Sequence, residues 1–215
     1  WDICLEELAY EQPGETFTAA IIAFRSRDFD KIKHSVDHAF CNDDTFKGLV
    51  SALAWLPKAL IGDWIEKFLY SKDLNHKYLA IAVCSVRRQN PGDILKNILS
   101  REDCLAHPKL LVRSLRLVGE LKLHSFSNLV AKMALSENAE VRFWVNYSLV
   151  LLGEHDQALN LYEYIREPTQ WQTLATQLAF KVLPVDKARL WLSDFSEQPE
   201  MIRTAIPVTI QDAKI

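Results

Sequence analysis

The stretch VRFWVNYSLVLLG, residues 141–153, shows most clearly a pattern that recurs along the chain with a period of about 31 residues. Its Leu149 has an apolar counterpart in each repeat, at this constant spacing except for a longer step from Leu115: Ile22, Leu53, Cys84, Leu115, Leu149 and Phe180. Two further rows follow the same offsets: Phe24, Trp55, Val86, Leu117, Leu151 and Val182, and Phe17, Gly48, Leu79, Leu110, Trp144 and Ala175. Within one repeat, the three rows have the spacing of one face of a helix.

Each of these helices is followed by a stop signal and then by a second helical pattern. The expected stops are Ser26, Pro57, Arg88, Gly119, Gly153 and Pro184, four of which are the helix-ending residues Gly or Pro. Seven residues later come Lys33, Trp64, Leu95, Phe126, Asn160 and Trp191, and four residues after those Asp37, Phe68, Leu99, Val130, Tyr164 and Phe195. We interpret these rows as the buried stripe of a second helix.

The sequence therefore predicts an all-α fold, a right-handed α-α superhelix of the HEAT/ARM type with six to seven two-helix repeats. Because each repeat packs against its neighbours, we expect a single domain over 1–215. It would comprise a cap at 1–14, repeats at 15–42, 43–74, 75–106, 107–138, 139–167 and 168–199, and a half repeat at 200–215.

The composition is that of an ordinary globular protein, with 49% hydrophobic residues, 25% charged residues and a net charge of −3. No apolar run approaches the roughly 18 residues needed to span a bilayer, so no membrane insertion is expected. The four cysteines lie far apart without a CxxC motif, which is typical of free thiols in a reducing compartment. We expect a cytoplasmic protein and, since the chain begins at Trp1 rather than Met, a segment that precedes it.

Few residues suggest chemistry. His34 and His38 lie four residues apart near Asp37 and Cys41, a spacing that permits metal chelation. They lack the glutamate of an HExxH motif and a second, distant group of ligands, so we expect surface histidines, no metal and no other cofactor. The sequence contains no P-loop, GxGxxG or GxSxG motif, and we expect a protein that is not an enzyme.

Positive charge is concentrated in the middle of the chain. From Lys77 to Lys132 there are ten Lys and Arg residues and four acidic residues. Lys109, Arg113 and Arg116 have the spacing of one helix face, which suits either a solvated or partner-facing patch or a phosphate-binding strip. The tryptophans Trp55, Trp64, Trp144 and Trp191 fall in core rows, so we expect them to pack in the interior rather than stack on bases.

Several motifs resemble a known family. The residues Val141-Arg142 and Leu152-Gly153 that open and close a repeat, EQPGE at 11–15 and GLVSALAWLP at 48–57 resemble an uncharacterised bacterial family of HEAT-like proteins, with repeats of the phycobilisome-lyase type. Its members are sometimes encoded beside type VI secretion genes. The third repeat departs from this pattern, because Arg87-Arg88 stand where Leu-Gly is expected. The resemblance implies a helical solenoid and no established biochemical activity.

In HEAT-like solenoids the second helices usually line the concave surface. A third row on these helices contains no aliphatic residue: Ser35, Glu66, Asn97, Asn128, Tyr162 and Ser193. It is either the solvated side of amphipathic helices or a recognition stripe for an extended partner. We predict a protein–protein interaction scaffold whose partner is another protein. The alternatives are a nucleic-acid-binding or modifying domain that uses the basic middle repeats, which the net charge disfavours, and a lyase-like assistant to covalent attachment.

Overall fold

The structure, a computed structural model, describes residues 1–196, and all the regular secondary structure of these residues is helical. The prediction of an all-α fold is confirmed. The chain divides into two compact units, Trp1–Asn97 and the part from Ile98 onward. The predicted half repeat at 200–215 and the last residues of the sixth repeat lie outside the described residues.

The first unit contains seven helices, the last of which ends at the boundary between the units. They are α1 Asp2–Leu8, α2 Pro13–Ser26, α3 Phe29–His38, α4 Asp43–Trp55, α5 Lys58–Tyr70, α6 Leu74–Val86 and α7 Asp93–Ile98. Side-chain caps begin three of them, because Asp28, Asn42 and Asp73 accept hydrogen bonds from backbone N–H groups of the first turns of α3, α4 and α6.

Successive first helices of the predicted repeats lie side by side in this unit. Helix α2 packs against α4, and α4 packs against α6, while α3 packs on α2 and α5 packs on α6. Leu49, Leu53, Leu79 and Ile61 are fully or almost fully buried between them. Neighbour-on-neighbour packing of this kind is how a two-helix repeat buries its apolar faces.

The second unit contains α8 Glu102–Leu105, α9 Pro108–Glu120, α10 Ser127–Ala131, α11 Ala139–Leu151, α12 Tyr162–Arg166, α13 Gln172–Val182 and α14 Val185–Ser196. Short 3₁₀ segments at His124–Phe126 and His155–Leu161 precede α10 and α12. Helix α9 packs against α11, and Leu115 and Leu149 are buried, as their shared row predicts.

The fixed period predicted from the sequence fails for the second helices of the first unit. Helices α3 and α5 begin at Phe29 and Lys58, two residues closer together than that period requires. Their buried residues match at the same shorter offset, with Ile32 and Val36 corresponding to Ile61 and Ile65. An error of two residues turns a helix face by about 200°. The predicted buried positions Lys33 and Asp37 are therefore exposed, which corrects the prediction.

Three apolar residues assigned to core rows are exposed instead. Trp55 is 66% exposed, and Ile22 and Val86 are also exposed. Trp55 and Val86 are the last residues of α4 and α6, where a helix emerges from its neighbours. The prediction that Trp55 packs in the core is wrong, whereas Trp144 and Trp191 are buried as expected and Trp64 is partly buried.

The predicted helix stops are partly correct. Helices α4, α11 and α13 end just before Pro57, Gly153 and Pro184, and Gly153 has a left-handed φ of 98°. Gly119 is not a stop, since α9 continues to Glu120. A Cβ atom at Gly119 would lie 2.8 Å from the Cα atom of Ser148, so this glycine is required where α9 contacts α11.

Candidate functional site

Ser35, the first member of the predicted recognition row, is fully buried. Its hydroxyl makes no hydrogen bond within the described part of the chain. At the shorter offset that relates α3 to α5, Ser35 corresponds to Trp64, on the packed side of the helix, and Asp37 corresponds to Glu66. Ser35 is therefore excluded from a recognition surface, which corrects the prediction.

The other members of the row differ in accessibility. Glu66, Asn97, Asn128 and Ser193 are exposed. Tyr162 is partly buried, and its hydroxyl donates a hydrogen bond to Asp194 Oδ2 at 3.0 Å. Its ring lies 4.8 Å from that of Trp191, so Tyr162 joins α12 to α14. Burial, together with Asp194, raises the pKa of Tyr162.

The most apolar of the clefts described below lies between α3 and α5 in the first unit and has a volume of about 280 Å³. We call it the α3–α5 cleft. It is lined by Phe29, Ile32, Lys33, Val36, Asp37, Trp64, Lys67, Phe68, Ser71 and His76. The ring of Trp64 lies 6.0 Å from that of Phe29 and 5.9 Å from that of Phe68, so three aromatic rings form one continuous wall.

Charged groups of both signs surround this wall. Lys33 Nζ lies 2.8 Å from Asp37 Oδ2, and this contact raises the pKa of Lys33. Lys67 Nζ lies 4.8 Å from the centre of the Trp64 ring, within the range of a cation–π interaction. An apolar centre surrounded by a polar, charged rim is typical of protein–protein interfaces.

Glu66 lies at a second cleft of the first unit, which has a volume of about 430 Å³ and is bounded by α5 and the segment after α6. Tyr70, Arg87 and Asn90 also line it. Arg87 is engaged structurally, because its Nη1 atom donates to the carbonyl oxygens of Leu53, Ala54 and Leu56 at the end of α4. Glu66, a member of the predicted row, thus lies in a cleft of this unit.

A cleft of the second unit, with a volume of about 460 Å³, lies between α11 and α12. We call it the α11–α12 cleft. Its lining is more polar: Ala134, Leu135, Arg142, Asn146, Leu159, Asn160, Tyr162 and Glu163. The sequence offers a signal for it, since Asn146 is a carboxamide within the mostly apolar stretch VRFWVNYSLVLL.

The predicted basic strip is not a row of free cations. Arg116 Nε donates to Glu120 Oε1 at 2.6 Å, and its guanidinium lies 4.9 Å from the centre of the Trp144 ring. Arg113 is partly buried, whereas Lys109 is exposed. The helical spacing is as predicted, but the strip presents less accessible positive charge than the sequence indicates.

The predicted histidine pair does not form part of a metal centre. His34 is exposed and its ring lies 6.2 Å from Trp1, while His38 Nδ1 lies 3.9 Å from Cys41 Sγ. Within residues 1–196 there is no group of three or more His, Cys, Asp or Glu side chains placed to hold a metal ion. Burial lowers the pKa of His38, the charge of His34 lowers it further, and Glu11 opposes both.

The cysteine expected in the core is found there. Cys84 is buried in α6, and burial raises its pKa to about 11. Among the helices that the structure describes, none is long and apolar enough to cross a membrane.

Comparison of the chain with models of protein families, with curated proteins and with solved structures finds no match in any of the three. Sequence reasoning missed Phe29, which belongs to none of the rows. The available signal was its place directly after the capping residue Asp28, at the exposed start of a helix.

Proposed function

We propose that the chain is a non-enzymatic protein–protein interaction scaffold built from HEAT-like two-helix repeats. The single observation that carries this proposal is the aromatic wall of the α3–α5 cleft. Phe29 is 62% exposed at its edge, although its ring contacts that of Trp64, which in turn contacts Phe68. An exposed aromatic side chain gains most when a partner covers it.

The cleft accommodates an apolar side chain of a partner better than a charged ligand. Its wall consists of aromatic and aliphatic groups, and Lys33 and Asp37 at its rim neutralise each other. Charged groups around an apolar centre exclude water and orient the partner, and they contribute less to affinity than the buried aromatic groups.

The larger architecture in this proposal is a right-handed superhelix of six to seven repeats. The side-by-side order of α2, α4 and α6 in the first unit supports it. The resemblance to HEAT-like proteins encoded beside type VI secretion genes suggests a role alongside such a system. The partner would then be another protein of the same system.

Photo-crosslinking in the source cell tests the proposal. A photoreactive residue replaces Lys33 at the rim of the cleft, and in a control it replaces Lys47 on α4, outside the cleft. The two lysines match closely, because their side chains are 63% and 71% exposed and each pairs with an aspartate at 2.8 Å. We expect a discrete protein adduct from position 33 that position 47 does not give. Identical adducts at both positions, or none from position 33, would contradict the proposal.

A further inference from the structure

We propose that the α11–α12 cleft binds an extended peptide segment, holding its main chain through the side-chain amides of Asn146 and Asn160. This inference rests on the proposed function, because the segment would belong to a protein partner. It concerns a different unit and different chemistry from the aromatic cleft, so the two can fail separately.

The two amides form a fixed pair. Asn160 Nδ2 donates to Asn146 Oδ1 at 3.2 Å and to Gln157 Oε1 at 2.8 Å. The side-chain amides of Asn146, Gln157 and Asn160 are therefore linked by two hydrogen bonds. Asn146 lines the cleft but is only 6% exposed, so neighbouring residues restrict the movement of its side chain.

The pair leaves one donor and one acceptor unused. Within the described residues, Asn146 Nδ2 and Asn160 Oδ1 make no hydrogen bond. Asn146 Nδ2 is also not sealed from solvent, because it is not among the buried atoms without a partner. A donor and an acceptor on adjacent amides complement the C=O and N–H groups of a peptide main chain.

The ligand must be extended for this pairing. In a helix the main-chain groups bond to one another, whereas in an extended segment they remain available. Successive side chains of an extended segment point in opposite directions. A side chain next to the main-chain groups that bond the two asparagines would therefore face the cleft. Leu135 is 94% exposed and Leu159 is 47% exposed at that cleft, which favours an apolar side chain there.

A nucleobase also carries adjacent donors and acceptors, but the charges in the cleft disfavour it. Nη1 of Arg142 is bonded to the carbonyl oxygens of Ser136 and Glu137, both at 2.8 Å, and Glu163 lines the same cleft. Nucleic-acid sites need cations that are free to neutralise phosphates. Arg142 and Glu163 together give the cleft no net charge.

Peptide selection on the full chain tests the proposal. Peptides of about 12 residues are selected from a random display library, and their affinities are measured by fluorescence anisotropy. We expect a class of peptides that bind about tenfold more weakly to Asn160→Ala, because one main-chain hydrogen bond is lost and its partner is left unpaired. The same peptides should bind Gln170→Ala as they bind the wild type, since Gln170 is an exposed amide residue of the same unit outside the cleft.

Two further measurements distinguish main-chain contact from side-chain contact. Asn146→Asp keeps the shape and the acceptor but removes the donor, and we expect a similar loss provided that circular dichroism shows an unchanged fold. Methylation of one main-chain nitrogen of the peptide should weaken binding about tenfold at a single position. Failure to select any binder, or binders that are insensitive to Asn160→Ala and to N-methylation, would overturn the proposal.

A single-stranded oligonucleotide of about 12 bases serves as the competing ligand. Saturable binding of it that Asn160→Ala abolishes would overturn the peptide in favour of a nucleobase. A protein adduct at position 33 with no effect of Asn160→Ala would remove this inference and leave the proposed function intact. Loss of peptide binding in Asn160→Ala with no adduct at position 33 would support this site and count against the α3–α5 cleft.

Discussion

Gly119 allows α9 to lie directly against α11. A Cβ atom there would lie 2.8 Å from Ser148 Cα and 2.9 Å from Ser148 Cβ, and Ser148 Oγ already donates to Leu115 O at 2.8 Å. Since the nearest obstacle is backbone, it cannot move aside cheaply. We expect Gly119→Ala to lower the free energy of unfolding by about 1–3 kcal/mol, as measured by chemical denaturation.

Gly62 on α5 is the matched control. A Cβ atom there would meet nothing closer than Lys58 Cγ at 3.7 Å, which is ordinary contact. Gly62→Ala should therefore stabilise the chain by about 0.5–1 kcal/mol through helix propensity. Equal effects of the two substitutions would show that α9 and α11 do not contact each other in this way.

His38 should make stability depend on pH. Its pKa is lowered in the folded chain, chiefly by burial and then by His34, so the folded state binds a proton less readily than the unfolded state. Its contribution is fully present above the unfolded pKa of about 6.5 and declines as the pH falls through that value.

The comparison is between the wild type and His38→Gln in urea denaturation at about pH 8 and about pH 5.5. We expect a smaller loss of stability on acidification in His38→Gln than in the wild type. Asn128→Gln, at an exposed residue without a titratable group, should retain the wild-type dependence on pH. An unchanged dependence in His38→Gln would show that its environment is not as described.

Individual residues show where sequence reasoning succeeds and where it fails. Leu53, Leu115 and Leu149 are buried as predicted, because each lies on the apolar face of an amphipathic helix, and that face packs against the core. The exposure of Trp55 and the packing role of Gly119 depend on what neighbouring helices cover. A periodic pattern contains no information about that coverage at the end of a helix.

Among the elements, α4 and α6 are joined by one arginine. Arg87 Nη1 donates to Leu53 O at 3.3 Å, Ala54 O at 2.9 Å and Leu56 O at 2.8 Å, which satisfies carbonyl groups left open at the end of α4. Arg87 stands where the repeat pattern has leucine. The departure of the third repeat from the pattern therefore has a structural reason.

We expect Arg87→Met to lower the free energy of unfolding by about 1.5–3 kcal/mol, the range for hydrogen bonds to a charged group. Methionine retains much of the apolar stem, so the change reports the lost hydrogen bonds. Arg25→Met, at an exposed arginine of α2, is the control and should change stability by less than about 0.5 kcal/mol. Similar values for both variants would refute the role of Arg87 as a cap.

Helix α3 shows why the candidate site could be predicted only in part. The sequence identified the second helices as the place of recognition, and both α3 and α5 line the aromatic cleft. The prediction placed Ser35 on the surface because it used one fixed repeat length. The starts of α3 and α5 are two residues closer together than that length. Turn lengths set this offset, and short polar turns such as Arg27-Asp28 carry little periodic signal.

The overall charge of the chain distinguishes a protein scaffold from a nucleic-acid binder. The net charge is −3, and Arg116 of the predicted basic strip is paired with Glu120. We expect no binding of a fluorescent duplex of about 30 base pairs at about 150 mM salt with up to about 10 µM protein. Saturable binding that Lys109→Glu abolishes would instead support the nucleic-acid alternative.

The most direct test of the scaffold function measures the affinity of the partner identified by crosslinking for three forms of the chain: wild type, Phe29→Ala and Trp55→Ala. Phe29 and Trp55 are comparably exposed aromatic residues of the first unit, at 62% and 66%, but Phe29 alone of the two lines the α3–α5 cleft. By isothermal titration calorimetry, we expect Phe29→Ala to weaken binding about thirtyfold, the effect of an interface hot spot of about 2 kcal/mol, and Trp55→Ala to change it less than about threefold. Wild-type affinity in Phe29→Ala, with or without a loss in Trp55→Ala, would contradict recognition through the α3–α5 cleft.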